Sequence, residues 1–204
     1  MKDIPTPGTP MSLAVPERYV RRVLALHEAG HAVVGYYFGN CVTEGGIRID
    51  VDTGCGECNL QGGLAFFLSP LSSFDTSPHG MVERRRTEKL LRAACIELMA
   101  GGAAEMLWGS WDKRGQGGDA CMAIELIRRV LECDQECAEL ALWGIYFPAA
   151  KRLVKEWDIA QAIFQVAEEL EAMEELGPAE ADELLESGPV KCGSGLRVLL
   201  GADA

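Results

Sequence analysis

Two histidines stand four residues apart in His27-Glu28-Ala29-Gly30-His31, and on a helix that spacing turns both toward one face while the glutamate points about 100° away. The flanking residues favour a helix. Val20, Val23, Leu24, His27, His31, Val34 and Phe38 recur at short helical intervals, the pattern of a stripe that faces a core. Pro16 and Glu17 suit the first turn of this helix and Gly39-Asn40 its end, so the spacing predicts about six turns. Gly30 and Gly35 lie inside it, each costing about 1 kcal/mol relative to alanine. Close approach of another backbone would offset that cost.

H-E-x-x-H on a helix is the arrangement of a zinc site that carries its own general base. The imidazoles would bind as neutral nitrogen donors, a third protein ligand would complete the set, and a fourth position would stay open for water. Glu28 is placed to reach that water instead of the ion. A lone histidine on an apolar face is usually a hydrogen-bonded core residue, and Glu28 alone would read as an ordinary carboxylate. With only three histidines in 204 residues, the paired motif favours the metal site.

The third ligand is not adjacent. A metzincin continuation would place glycine and then histidine where Val34 and Tyr37 stand. A thermolysin-like glutamate on a following helix does not suit residues 45–67, which read as a hairpin. Read on its own, Asp119 is a helix N-cap, because it follows a glycine run and precedes the apolar pattern Met122, Ile124, Ile127, Val130 and Leu131. His79, between Pro78 and Gly80, reads as an exposed loop residue and is the first substitute ligand; Asp112 is a weaker one.

Two later segments, Ala100-Gly101-Gly102-Ala103-Ala104-Glu105 with Trp108-Gly109, and Gly115-Gln116-Gly117-Gly118-Asp119, accompany the HEAGHA stretch. Together they resemble the peptidase domain of FtsH-type (M41 family) zinc metalloproteases across roughly residues 18–186. The resemblance implies a zincin-like, mainly α (α+β) array of helices with a small β-hairpin or ribbon. It implies Zn2+ held by His27, His31 and Asp119, with Glu28 as the catalytic residue. Glu105 is either a carboxylate that holds an imidazole or the partner of a nearby cation. Full-length relatives also carry an ATPase module and membrane anchors. This sequence contains neither a G-x-x-x-x-G-K-[S/T] phosphate loop nor an apolar run near the ~20 residues that span a bilayer. A stand-alone peptidase domain is therefore expected.

Length and a hydrophobic content of 48% suit one core. Residues 1–15, with Pro5, Pro7 and Pro10, read as a flexible tail without the features of a secretory signal. The metallopeptidase-like domain is expected at 16–186 and a C-terminal extension at 187–204, which starts at the Ser187-Gly188-Pro189 break and includes an apolar run, Val198-Leu199-Leu200, that could form a strand. Strands are expected at Ile47–Val51 and Gly63–Leu68, with a loop from Asp52 to Gly62 between them. Helices are expected at 81–108 and 119–133, followed by a helical tail over 134–186 that breaks near Pro148 and Gly177-Pro178. A strand edge beside the metal would suit peptide capture, with Ala65, Phe66 and Phe67 on its border, although ordinary strand packing explains those residues as well.

The net charge is −12, and residues 156–186 hold eleven acids and no Lys or Arg. A solvated helical face is the default reading, and a docking surface the sharper one. Arg84, Arg85, Arg86, Lys89 and Arg92 form a basic patch that could meet this face in a homo-oligomer. The overall acidity argues against a nucleic-acid partner. Among eight cysteines only Cys55 and Cys58 form a C-x-x-C unit, a weak metal or disulfide signal, while Cys133 and Cys137 lie one helical turn apart. The set suits a reducing cytoplasm.

The expected function is a zinc-dependent endopeptidase that hydrolyses peptides or unfolded polypeptides, without ATPase activity of its own, assisted where needed by a separate ATPase or adaptor. The rival from another class is a catalytically silent zinc-binding scaffold that recruits chains or a partner ATPase.

Overall fold

The computed structural model describes residues 16–61, 68–109 and 117–201. Helix α1 spans Glu17–Phe38, with Pro16 before its first turn and Gly39, at φ 95°, ending it in the left-handed region. The expected single buried stripe is too narrow. From Ala25 to Gly30 and again from Ala32 to Tyr36 every residue is buried, Glu28 included, while Val20, Val23 and Leu24 are only half-buried. The cause is central placement: helix α7 (Trp157–Met173), helix α3 (Ala100–Glu105) and a small sheet pack against α1 from different sides.

Gly30 explains how α3 comes so near. A Cβ at this position would lie 2.7 Å from both the carbonyl oxygen of Ala100 and the Cβ of Ala104. Close approach of another backbone is thus what the helical glycine permits, as its sequence context suggested.

The hairpin exists, and its second strand lies in the segment expected to be a loop. Strand β1 is Val42–Asp50 and β2 is Cys55–Leu60, antiparallel with Ile47 opposite Cys58 and Asp50 opposite Cys55. The turn is made by Asp50, whose Oδ1 accepts from the backbone N–H groups of Asp52 and Thr53, an Asx-type turn followed by Gly54 at φ 69°. Residues 52–61 are therefore mostly turn and strand, not loop. Leu68 lies outside any strand, and residues 62–67, including Ala65, Phe66 and Phe67, lie outside the described residues. Glu175–Leu176 forms β3 on the other side of β1, giving the antiparallel order β2-β1-β3.

Helix α2 runs over Pro78–Leu98. The Ser77 hydroxyl accepts from the Gly80 N–H, as an N-cap should. Met99 interrupts the helical run before α3, so the expected helix over 81–108 is two α-helices and a terminal 3₁₀ turn, Met106–Trp108. Helix α4 spans Gly117–Leu131. It starts before Asp119, which sits inside the first turn instead of capping it.

The tail comprises α5 (Gln135–Ala141), α6 (Phe147–Leu153), α7, α8 (Pro178–Ser187) and α9 (Ser194–Leu200). Pro148 does not break it outright. A wide π-turn over Leu142–Tyr146 precedes the proline and accommodates the ring and the missing N–H that regular helix would not. Gly177-Pro178 does open a new helix. Val198-Leu199-Leu200 is helical, not a strand; α9 packs on α1 and α2, and a Cβ at Gly195 would be 2.1 Å from the Tyr37 ring. The fold is mainly α with a three-stranded antiparallel sheet. Among the described residues no helix is long and apolar enough to cross a membrane.

The acidic run is in part an internal partner of α1. Arg21 pairs with Glu174, and Arg22 with Glu171, across the α1–α7 contact. Glu168, Glu169, Glu175, Glu180, Glu183 and Glu186 remain exposed, a solvated face. Within the basic patch, Arg84 pairs with Glu88 on its own helix, and Lys89 donates to the carbonyl of Leu200.

Candidate metal centre

His27 and His31 project from consecutive turns of α1, and α4 brings Asp119 to them. Asp119 Oδ2 lies 3.1 Å from His27 Nε2 and 3.2 Å from His31 Nε2, and the two nitrogens are 3.2 Å apart. Among the described residues this is the group of His, Cys, Asp and Glu side chains whose donor atoms converge closely enough to hold a metal ion. Tetrahedral coordination with bonds of about 2.0–2.1 Å requires donor separations of about 3.3 Å. The observed triangle needs only a slight expansion, and two imidazoles with one carboxylate suit a divalent ion.

The far sides of both rings define their tautomers. His27 Nδ1 donates to Glu105 Oε1 at 2.7 Å, so Glu105 holds an imidazole. His31 Nδ1 donates to the backbone carbonyl of Glu97 at 3.0 Å, near the end of α2 where helix carbonyls lack partners in their own helix. Both acceptors require a proton on Nδ1, so in the neutral rings the Nε2 lone pairs are directed at the shared point. The Glu97 carboxylate is itself fixed, accepting from Asn40 Nδ2 at 2.7 Å. Burial raises its pKa to about 7 against the opposing influence of His31 and Asn40. Sequence reasoning missed Glu97 because any residue can supply a carbonyl. Glu105 carried a signal in the Ala-Ala-Glu stretch.

The surroundings of the two rings favour the protonated imidazole. Burial opposes a charged His27, but hydrogen bonds to Asp119 and Glu105 outweigh it and raise its pKa to about 10. His31 is buried too, and is shifted upward by Asp119 despite that burial. Burial would push Asp119 up, yet the two imidazoles hold its carboxyl well below the usual carboxylate range. A site that binds protons this firmly presents the same electron pairs to a metal ion.

Glu28 stands beside the triad without joining it. It is buried between α1 and β2: a Cβ at Gly56 would be 2.4 Å from Glu28 Oε1, so this glycine of β2 makes room for the carboxylate. Burial raises its pKa, against the lowering influence of His31 and His27. An elevated carboxylate close to a metal centre is suited to taking and returning a proton.

The other sequence candidates stand apart. His79 is exposed in the first turn of α2, and Asp112 lies outside the described residues. Cys55 and Cys58 are free, the first exposed and the second half-buried. At three positions apart on a strand they face opposite sides and make no chelating pair. Burial pushes the Cys58 thiol well up. Neither the protein-family models nor the curated proteins compared with this chain match it.

Proposed function

We propose that the protein is a zinc-dependent endopeptidase of the kind its motifs resemble, the FtsH-type peptidase domain, acting on extended peptide. The observation that carries this reading is the convergence of His27, His31 and Asp119 on one point with the buried Glu28 beside them. His27, His31 and Asp119 would hold the ion, leaving a coordination position open, as catalytic zinc sites do and closed structural sites do not. Zinc bound there would supply Lewis-acid polarisation of the scissile carbonyl and of an attacking water.

The chain's own groups supply the rest. Glu105 and the Glu97 carbonyl hold the imidazoles in register. Glu28 takes the proton of the attacking water and returns it to the departing amine nitrogen. Strand β2 has β1 as its neighbour on one side only among the described residues, and Gly56 of that strand touches the space of Glu28. An extended substrate added along the free edge of β2 would therefore pass the general base, with main-chain hydrogen bonds giving affinity.

The chains cleaved would be ones that are already unfolded or are delivered by a separate ATPase. The free cysteines suit a reducing compartment. The test is mass-spectrometric detection of cleavage in a pool of unstructured peptides, comparing zinc-loaded wild type with zinc-loaded Glu28→Gln. Cleavage by the wild type alone supports the peptidase. Zinc and peptide binding by both without cleavage would replace it with the silent scaffold.

A further inference from the structure

The two glycines at the α1–α3 contact do different things. Gly30 of α1 admits the backbone of α3, whereas Gly101 of α3 faces the metal-binding atoms themselves. A Cβ at Gly101 would lie 2.5 Å from His31 Nε2, 2.6 Å from His27 Nε2 and 2.7 Å from His27 Cδ2. No other glycine for which these distances are known among the described residues would place a Cβ against these nitrogens.

We infer that Gly101 is a positioning residue whose missing side chain reserves the volume of the metal ion against the two imidazoles. This rests on the metal reading above and adds a residue with no donor atom to the centre. A methyl group that close to both Nε2 atoms competes for the region where their lone pairs converge, and it cannot coexist with an ion bound to both. The same methyl has no elastic neighbour to displace, because the rings are fixed from behind by Glu105 and the Glu97 carbonyl.

Gly101→Ala is a clean probe because the backbone there is α-helical, with no positive φ, and alanine is the better helix former. Any loss is then one of volume. Zinc affinity is measured by competition with a chromophoric chelator, alongside far-ultraviolet circular dichroism and thermal unfolding of the metal-free protein. The expected result is binding weakened by more than about 100-fold, beyond the 10–100-fold typical of losing an outer hydrogen-bond partner, with helical content retained. Binding within about threefold of wild type (well under the 10-fold of such losses) would overturn the inference while leaving the metal centre intact. Failure of the wild type to bind zinc would overturn the metal reading and the inference with it.

A second comparison covers a variant that does not fold. Adding Gly101→Ala to a His27→Ala/His31→Ala background should leave its unfolding temperature unchanged or raise it through the better helix propensity of alanine, because the conflicting rings are gone. An equal loss of stability in both backgrounds would show that the methyl collides with something else, and would overturn the assignment.

Discussion

Glu105 Oε1 accepts the Nδ1 proton of His27 at 2.7 Å, and this bond leaves Nε2 as the ring nitrogen turned toward Asp119 and His31. Replacing Glu105 by glutamine keeps an oxygen in reach but removes the charge that makes the ring a stronger donor. Glu105→Gln should weaken zinc binding by about 10–100-fold with the fold intact, as read by chelator competition and circular dichroism. Unchanged affinity would reduce Glu105 to a packing role.

Glu28 tests the chemistry without the metal. Glu28→Gln should retain zinc within a factor of a few while losing about 10²–10⁴-fold in peptide hydrolysis, whereas His27→Ala should lose both. Zinc content by mass spectrometry and cleavage rate are measured on the same samples. Full hydrolysis by Glu28→Gln would remove this carboxylate from the mechanism.

Metal uptake should depend on pH through His27. Its folded pKa is raised from the ordinary 6.5 to about 10, so its contribution to the stability of the metal-free protein is complete below about 6.5 and disappears as pH rises through about 10. The lowered pKa of Asp119 works in the opposite sense, contributing above its ordinary range and lost in acid. Urea unfolding of the metal-free protein should therefore show stability falling from pH 7 toward pH 10. Zinc bound to the two imidazoles would displace the protons they hold, so calorimetry at pH 7 in buffers of different ionisation enthalpy should detect at least about one proton released. Uptake with no proton release would contradict the protonated metal-free centre.

Gly30→Ala addresses the helix contact. The new Cβ would meet a backbone carbonyl at 2.7 Å, which cannot rotate away. Overpacking of about 1–3 kcal/mol exceeds the helix-propensity gain of about 1 kcal/mol, so a lower urea midpoint is expected. A higher midpoint would mean that α3 can shift freely.

At the end of α4 the exposed Glu132 has φ 51°, a conformation that glycine adopts without the Cβ penalty. Glu132→Gly should stabilise the protein by about 0.5–1 kcal/mol, visible as a higher unfolding temperature. Destabilisation would indicate that the glutamate side chain contributes more than its backbone costs.

The parts of this fold written in short sequence patterns were legible. The histidine spacing and the Gly39 stop defined α1, and Gly177-Pro178 marked the start of α8. Asp119 was different: its own context says helix terminus, and only the resemblance joined it to His27 and His31. Strand β2 read as loop because Cys55-Gly56-Glu57-Cys58-Asn59-Leu60 lacks the β-branched and aromatic residues that announce a strand. Its extended form comes from pairing with β1. Glu175–Leu176 is too short for any periodicity, and Val198–Leu200 could not distinguish strand from helix without α1 and α2 to pack against. The Glu97 carbonyl left no trace in side-chain chemistry at all.

The embrace of α1 by the end of the chain governs when the centre can mature. Arg21 and Arg22 meet acids 153 and 149 residues further on, and the free side of β1 is closed by β3. A nascent chain therefore contains both histidines and Asp119 before α7 has been synthesised. Non-local closure of this kind slows folding and leaves apolar surface exposed meanwhile. The two halves of the candidate metal site are made early, but the core that keeps them in place is completed only by the final helices.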